Sequence, residues 1–413
     1  KNTEKNKERT AISTLLSTMN DATKMLQYQQ QTLDRVARLV GKDHQMYKKY
    51  SLTIASLNMM YNNDYAGAEK LAESLLSTSA NESETYYEAL SLKAHVSLYK
   101  GQTLAASQLY RKIANAKTNL REKFQYLLYD ANFTCLEIMT RNKNKNDRQG
   151  CEELIADMQN SVNQMSEIAE KTFPKTSKDY FDYLSTKGKL MYLKNDRAEL
   201  SDIISQMEAI IEHTDNLEVK KKEKTDLSSL YAWYGNFEKA LSLIKDSDPE
   251  SGSNNRNKYN NYLMFASLNF GAGNTSKAID YYEKGVAVGM ENLRKVFPLL
   301  TEAERSAYWD LFKQAFYNAG KYATVFNKET PFNGTLYNLA LYFKGLLMRS
   351  QNAIIQKLKA LGDSTILEDI QVIKQLRMSA SNGKSGTEKQ AILQADAEKL
   401  EKELLQKCAQ KGY

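Results

Sequence analysis

LSSLYAWYGNFEKALSLIKDSDP, from Leu227 to Pro249, has the layout of a helical hairpin. A helix ends in aromatics, the chain turns at Gly235-Asn236, Phe237 follows, Ala240 comes three residues on, and a second helix runs to a closing proline. Gly or Asn is needed where a chain leaves one helix in a left-handed conformation before starting the next, because a Cβ there crowds the following carbonyl. Alanine at the crossing lets two helices approach closely, and a bulky residue beyond it fills the space toward a neighbouring unit.

The frame recurs. FASLNFGAGNTSKAIDYYEKG places Gly273, Ala278 and Tyr282 in the turn, crossing and bulky positions. Asn63, Tyr65 and Ala68 take corresponding places in SLNMMYNNDYAGAEKLAESLL, as do Gly101, Ala106 and Tyr110 in AHVSLYKGQTLAASQLYRKI and Asn195, Leu200 and Ile204 in KGKLMYLKNDRAELSDIISQM. Turn positions 63, 101, 195, 235 and 273 are separated by 38, 94, 40 and 38 residues. The long gap has room for two units, so an irregular repeat is expected over residues 120–170, with RNKNKNDRQG as its enlarged turn. This frame resembles the tetratricopeptide (TPR) repeat. The expected fold is therefore all-α: a TPR-like right-handed superhelical solenoid of about six hairpins over residues 44–290. An N-terminal capping helix over 1–43 would precede it, carrying Leu15, Met19, Leu26, Leu33, Val36 and Val40 near one face, and a C-terminal helical segment over 291–413 would follow it.

Composition agrees with helices throughout. Four prolines and 18 glycines in 413 residues leave long helix-permissive segments, and no alternating apolar run suggests a strand. Lys and Arg total 57 against 50 Asp and Glu, but the signs interleave as on solvated helix faces, so no nucleic-acid partner is expected. The basic stretches Arg141–Arg148 and Lys220–Lys224 fall between periodic segments and read as solvated loops. Cys135, Cys151 and Cys408 form no CxxC pair, and Cys135 lies among Phe133, Leu136 and Ile138 as apolar filler. No apolar run is long enough for a membrane span. A chain beginning at Lys1 leaves the compartment open: an exported, cell-envelope form and a cytoplasmic one both fit.

Beyond residue 290 the repeat frame is lost. Thr301–Glu304 (TEAE) is a capping-box start for a helix with Tyr308, Trp309, Phe312, Phe316 and Tyr317. Two final helices carry the stripes Ile366, Ile370, Ile373, Leu376 and Leu393, Ala397, Leu400, Leu404, Cys408. Joined through SASNGKSG, they form a hairpin with little apolar sequence left elsewhere to meet it. LLTEAERSAYWDLF, GTLYNLALYFKGLLMRS, GDST and a helix ending LEKELLQK resemble the segment that joins a TPR array to a CHAT domain in bacterial TPR-CHAT proteins, whose CHAT domains are caspase-like peptidases or inactive relatives. The resemblance covers roughly residues 290–410. It implies a recognition or regulatory role beside a CHAT peptidase domain, which the chain, stopping at Tyr413, is expected to lack.

No catalytic machinery is expected in the chain itself. His44, His95 and His213 lie in or beside predicted helices, and none of the three cysteines has the context of a caspase-like nucleophile. Phosphate-binding, metal-ligand and EF-hand motifs are missing, the Gly-Ala-Gly at 271–273 being explained by the repeat turn, so no cofactor or metal is expected. The expected site is instead the groove formed by the first helix of each hairpin. The frame points Thr53, Leu57, Glu88, Ser91, His95, Asp182, Ser185, Lys189, Tyr192, Thr225, Ser229, Asn260, Leu263 and Ser267 into it, and this polar mixture suits a protein or peptide partner. Two alternatives stay open: a free-standing structural or adaptor protein that self-associates through its C-terminal hairpin, and a nucleic-acid-associated helical protein.

Overall fold

The computed structural model describes residues 22–144, 148–251, 255–325, 330–381 and 387–410. Among these are eighteen α-helices and no strand, so the chain is all-α. It forms two compact units, residues 1–285 and 286–413.

In the first unit, α1 (Ala22–Val40) precedes six antiparallel pairs. These are α2 (Gln45–Asn62) with α3 (Tyr65–Thr78), α4 (Glu84–Tyr99) with α5 (Thr103–Ala116), and α6 (Leu120–Asn144) with α7 (Arg148–Thr172). Then come α8 (Lys178–Lys194) with α9 (Arg197–Glu212), α10 (Leu217–Tyr234) with α11 (Phe237–Ile244), and α12 (Asn255–Gly271) with the first half of α13 (Thr275–Val296), whose residues from 286 onward belong to the second unit. The long α6/α7 pair occupies the span expected for the irregular repeat, while the middle of its turn, residues 145–147, lies outside the described residues.

All five turn residues named by the frame adopt positive φ: Asn63 at 56°, Gly101 at 85°, Asn195 at 59°, Gly235 at 100° and Gly273 at 79°. In four of them the next residue closes the first helix with an amide bond to the carbonyl five residues back: Gln102 to Ser97, Asp196 to Met191, Asn236 to Tyr231 and Asn274 to Asn269, all at 2.8–2.9 Å. This is the six-to-one bond of a Schellman end. The same residue opens the second helix where its side chain allows. Asp196 Oδ1 accepts from the Glu199 amide and Asn236 Oδ1 from the Lys239 amide, each at 3.1 Å. Asp64 does the same for Gly67 at 2.9 Å.

The crossing residues Ala106, Ala240 and Ala278 are completely covered, as are the bulky Tyr110 and Tyr282. In the last pair, Tyr281 sits 5.3 Å from Phe265 and 6.3 Å from Tyr262 between ring centroids. The Gly-Ala-Gly segment has two separate causes. Gly273 supplies the left-handed turn, whereas a Cβ on Gly271 would lie 2.3 Å from the Phe237 ring of the preceding pair. Hairpins are also joined through buried polar groups. Asp130 on α6 is fully buried and accepts from Ser107 (2.7 Å) and Ser161 (2.6 Å), and Arg111 Nε lies 3.0 Å from its carboxylate, so α5, α6 and α7 meet on one side chain.

Three expectations are corrected. The buried face of α1 comprises Met25, Thr32, Leu33 and Val36; Leu26 is half-buried and Val40 exposed, while Leu15 and Met19 lie outside the described residues. Lys220–Lys224 is no loop but part of α10, with Glu223 buried inside it, and Arg141 belongs to α6. The third correction concerns the final hairpin.

The second unit holds α14 (Glu302–Val325), α15 (Thr330–Phe343), α16 (Leu346–Ala360), α17 (Ser364–Ser381) and α18 (Thr387–Gln410). The capping box is formed: the Thr301 amide donates to Glu304 Oε2 at 3.0 Å and the Glu304 amide to Thr301 Oγ1 at 3.4 Å. The side chains of Phe316 and Tyr317, and the residues 382–386 of the expected linker, lie outside the description. Ile366, Ile370, Ile373, Leu404 and Cys408 form the hairpin core as the stripes predict, but Ile355, Leu358 and Leu361 pack on it too, so α16 and the turn after it supply an apolar partner. A charge network then ties α14 to the hairpin. Arg305, 1% exposed, donates to the Leu300 carbonyl and Gln351, and lies 3.3 Å from Glu401, which Arg377 holds from the other side at 2.7 Å.

Ala240→Leu and Ala278→Leu should each destabilise the first unit by about 1–3 kcal/mol, because added methylenes at a fully covered crossing force the helices apart. Denaturant midpoints equal to the parent's for both would show that the helices do not cross there.

Candidate functional site

The first helices α2 and α4, α6 and α8, and α8 and α10 lie directly against one another, and no two second helices make comparable contact among the described residues. An array whose first helices are closer together than its second helices curves with the first helices inside. The inner face is therefore where the residues named from the frame must be placed.

At the N-terminal end Thr53 is exposed and returns its hydroxyl to the Lys49 carbonyl at 3.1 Å, Leu57 is half-buried, and Glu88 sits 3.3 Å from the Lys49 ammonium. His95 is part of a packed cluster. Its Nδ1 lies 3.0 Å from the Ser91 carbonyl and 2.8 Å from the Tyr110 hydroxyl, with the Tyr110 ring edge-on and Tyr129 beside it. Burial holds the imidazole below its ordinary pKa, opposed by the Ser91 carbonyl.

On α8, Asp182 and Ser185 are largely buried, and Asp182 is paired with Lys178 one turn away. Lys189 reaches across to α6 and donates to Asn132 Oδ1 at 2.6 Å. Tyr192 is 39% exposed and stacks on Trp233 of α10, with centroids 4.8 Å apart and planes at 24°. Thr225 and Ser229 return their hydroxyls to their own helix, at the Lys221 and Thr225 carbonyls, and so present little to a ligand. On α12 Asn260 is exposed, Ser267 half-buried and Leu263 buried.

The structure thus joins α8 to α6 through Lys189 and Asn132 and to α10 through Tyr192 and Trp233, while Glu88 and Asn260 lie nearer the ends. Two carboxylates missed from sequence belong with the central group. Asp226 follows Thr225 on α10 and forms no hydrogen bond or ion pair among the described residues. Burial pushes its carboxyl above the ordinary range; Lys189 and Lys222 oppose the shift, and Asp182 adds to it. Glu223, one turn before, is also raised by burial; one oxygen accepts from Thr214 at 2.8 Å and the other has no partner. The frame selected only helix positions four apart on α10, and nothing in that spacing shows which charge on a neighbouring helix an adjacent residue will face.

A contact between distant hairpins completes the inner face. Arg256, near the start of α12, has its guanidinium 5.2 Å from the Tyr99 ring centroid and donates to the Tyr99 carbonyl at 3.5 Å. Tyr99 ends α4, so this pair joins the second hairpin to the sixth.

The three cysteines are buried, and burial pushes the Cys135 thiol up to about 11, opposite to the shift of a reactive thiolate. His44 caps α2 by accepting from the Met46 amide, and His213 caps α9. Among the described residues, no three or more His, Cys, Asp or Glu side chains converge as metal ligands, and no helix is long and apolar enough to cross a membrane.

No protein-family model matches the chain, and no curated protein does. Among solved structures, the crystal structure of a Rap protein complexed with competence and sporulation factor aligns with 86% of this chain and 99% of that one. The sequence identity is 12% and the TM-score 0.49.

His95 makes the array sensitive to mild acid. Its native pKa lies below its unfolded value, so the unfolded chain takes up the proton first; the stabilisation is complete above about pH 6.5 and is lost as pH falls below it. Urea titrations at pH 7 and pH 5 should show a smaller loss of stability for His95→Asn than for the parent. Equal losses would mean that the imidazole is not desolvated.

Proposed function

We propose that the hairpin array is a non-catalytic scaffold that binds a protein segment or peptide along its inner face, centred on α6, α8 and α10. The observation that carries this reading is the state of the polar groups there. Lys189 is held by a neutral amide, Asp226 has no direct partner, and the exposed Tyr192 lies flat on Trp233. A donor, an acceptor and an aromatic platform on adjacent helices can engage the carbonyl, amide and side chain of one extended segment. Buried cysteines and separately engaged histidines supply no nucleophile–base pair, which supports a role without catalysis.

The finer reading is that the chain is the recognition and regulatory part of a TPR-CHAT protein. It rests on the sequence blocks of residues 290–410 and on the ordered hairpin α17/α18 that would precede a catalytic domain. The observation expected on this reading is a coding sequence that continues past Tyr413 into an α/β domain with a His–Cys dyad; a stop codon there would remove it.

Peptides selected from a random display library on the parent chain test the groove. Lys189→Glu, Asp226→Lys and Tyr192→Ala should each weaken the selected peptides about tenfold or more, about 1.4 kcal/mol, whereas Asp202→Lys on α9 should leave them unchanged. Equal binding to the three groove variants, or loss only with Asp202→Lys, would put the binding surface elsewhere.

A further inference from the structure

In the second unit, α16, α17 and α18 leave between them a cavity of about 400 Å³. Its lining combines aliphatic side chains, Ile355, Ile373, Leu404 and Leu405 among them, with amides such as Gln351 and Gln371, and no aromatic side chain lines it. Its charged lining is one-sided: Lys359, Lys374 and Arg377 against the single carboxylate of Glu401. That carboxylate is already neutralised. One oxygen faces Arg305 at 3.3 Å; the other accepts from Arg377 at 2.7 Å and from the Glu302 amide at 2.8 Å. The two lysines, by contrast, are exposed and form no ion pair among the described residues.

We propose that this cavity binds a single-chain amphiphile with an anionic head, a free fatty carboxylate, whose tail lies among the aliphatic walls and whose carboxylate meets Lys359 and Lys374. The volume is that of a small-ligand pocket, roughly 300–1,000 Å³, and is too small for a docked helix, which is about 10 Å across with its side chains. Aliphatic walls without ring faces match a flexible methylene chain better than a planar ligand. The unpaired cations at the rim set the sign of the head group, and their stems can lie along the chain while their ammonium groups stay in water. Because α16 packs on the hairpin through Ile355, Leu358 and Leu361, an occupied cavity would stiffen the contact between α16 and the hairpin.

Calorimetric titration of the full chain with dodecanoate below its micellar concentration tests this, with dodecanol, dodecyltrimethylammonium and phosphatidylglycerol vesicles as comparisons. Expected are saturable binding of dodecanoate, no saturable binding of the cationic analogue, and no sedimentation with vesicles. Lys359→Glu combined with Lys374→Glu should weaken dodecanoate at least about tenfold and leave dodecanol unchanged. Leu405→Trp should abolish binding of both by filling the cavity. The lysine pair, being exposed, keeps the test decisive if Leu405→Trp does not fold. Absence of saturable dodecanoate binding, equal binding of the cationic analogue, unchanged affinity in the double lysine variant, or sedimentation with vesicles would each overturn the proposal.

Discussion

The array depends on one constraint: two helices can be laid against each other only if the chain reverses within very few residues and one side of the crossing is kept small. Ala106, Ala240 or Ala278 does this on the second helix; where Leu200 takes that place, Gly188 does it on the first, where an added Cβ would lie 2.7 Å from Leu230. Here the reversal is made by one residue in the left-handed conformation, Asn or Gly, followed by one residue with two tasks. Its amide closes the helix behind it, and in Asp64, Asp196 and Asn236 its side chain opens the helix ahead. Up to four amides and four carbonyls stand open at adjoining helix ends, so a turn this short must use every group it has. Once the reversal is fixed, register follows. The crossing falls at Ala106, Ala240 or Ala278, and the bulky residue four positions on is covered, as Tyr110 is by Tyr129 and Phe133 of the following hairpin at 4.9 and 5.6 Å between ring centroids.

How much of this could be read in advance follows from which interactions are local. The left-handed turns and most of the crossings are legible because each is decided within about ten residues by steric rules that favour Gly or Asn at the turn and Ala at the crossing, Leu200 being the exception. The second task of the residue after the turn is equally local, and Asp or Asn following Asn or Gly is its signal. Gly271 was legible only in half. A turn explains Gly273, but the need for Gly271 comes from the Phe237 ring of another hairpin. The expected groove positions divide in the same way. Thr225 and Ser229 look available by position yet spend their hydroxyls on their own helix, as Ser and Thr in helices often do. Asp226 was invisible for the opposite reason: its environment is set by Lys189 on another helix and by burial, and neither is in its own segment.

Buried charge divides the molecule into groups that hold it together and groups left for something else. Asp130 has two hydroxyl donors and a guanidinium, and Glu401 has two guanidiniums and an amide. Carboxylates so fully surrounded are cemented into their helix junctions. Removing either would strand buried donors at a cost of about 3–5 kcal/mol, although an apolar replacement of the whole set could be as stable.

Asp226 stands outside that pattern. Its half-buried carboxyl is raised by burial, Lys189 and Lys222 partly oppose the shift, and no direct partner holds it among the described residues. Lys189 shows the complementary state: it is close enough to influence Asp226, yet its ammonium is held by Asn132 and not by the carboxylate. Two opposite charges kept apart by such an arrangement retain unsatisfied hydrogen-bonding capacity on both sides of the gap. A peptide unit carries a donor and an acceptor pointing in opposite directions, so a ligand backbone laid between Lys189 and Asp226 would satisfy both at once. On the proposed function, that match of donor to acceptor is what would concentrate affinity at α6, α8 and α10 rather than at the ends of the array.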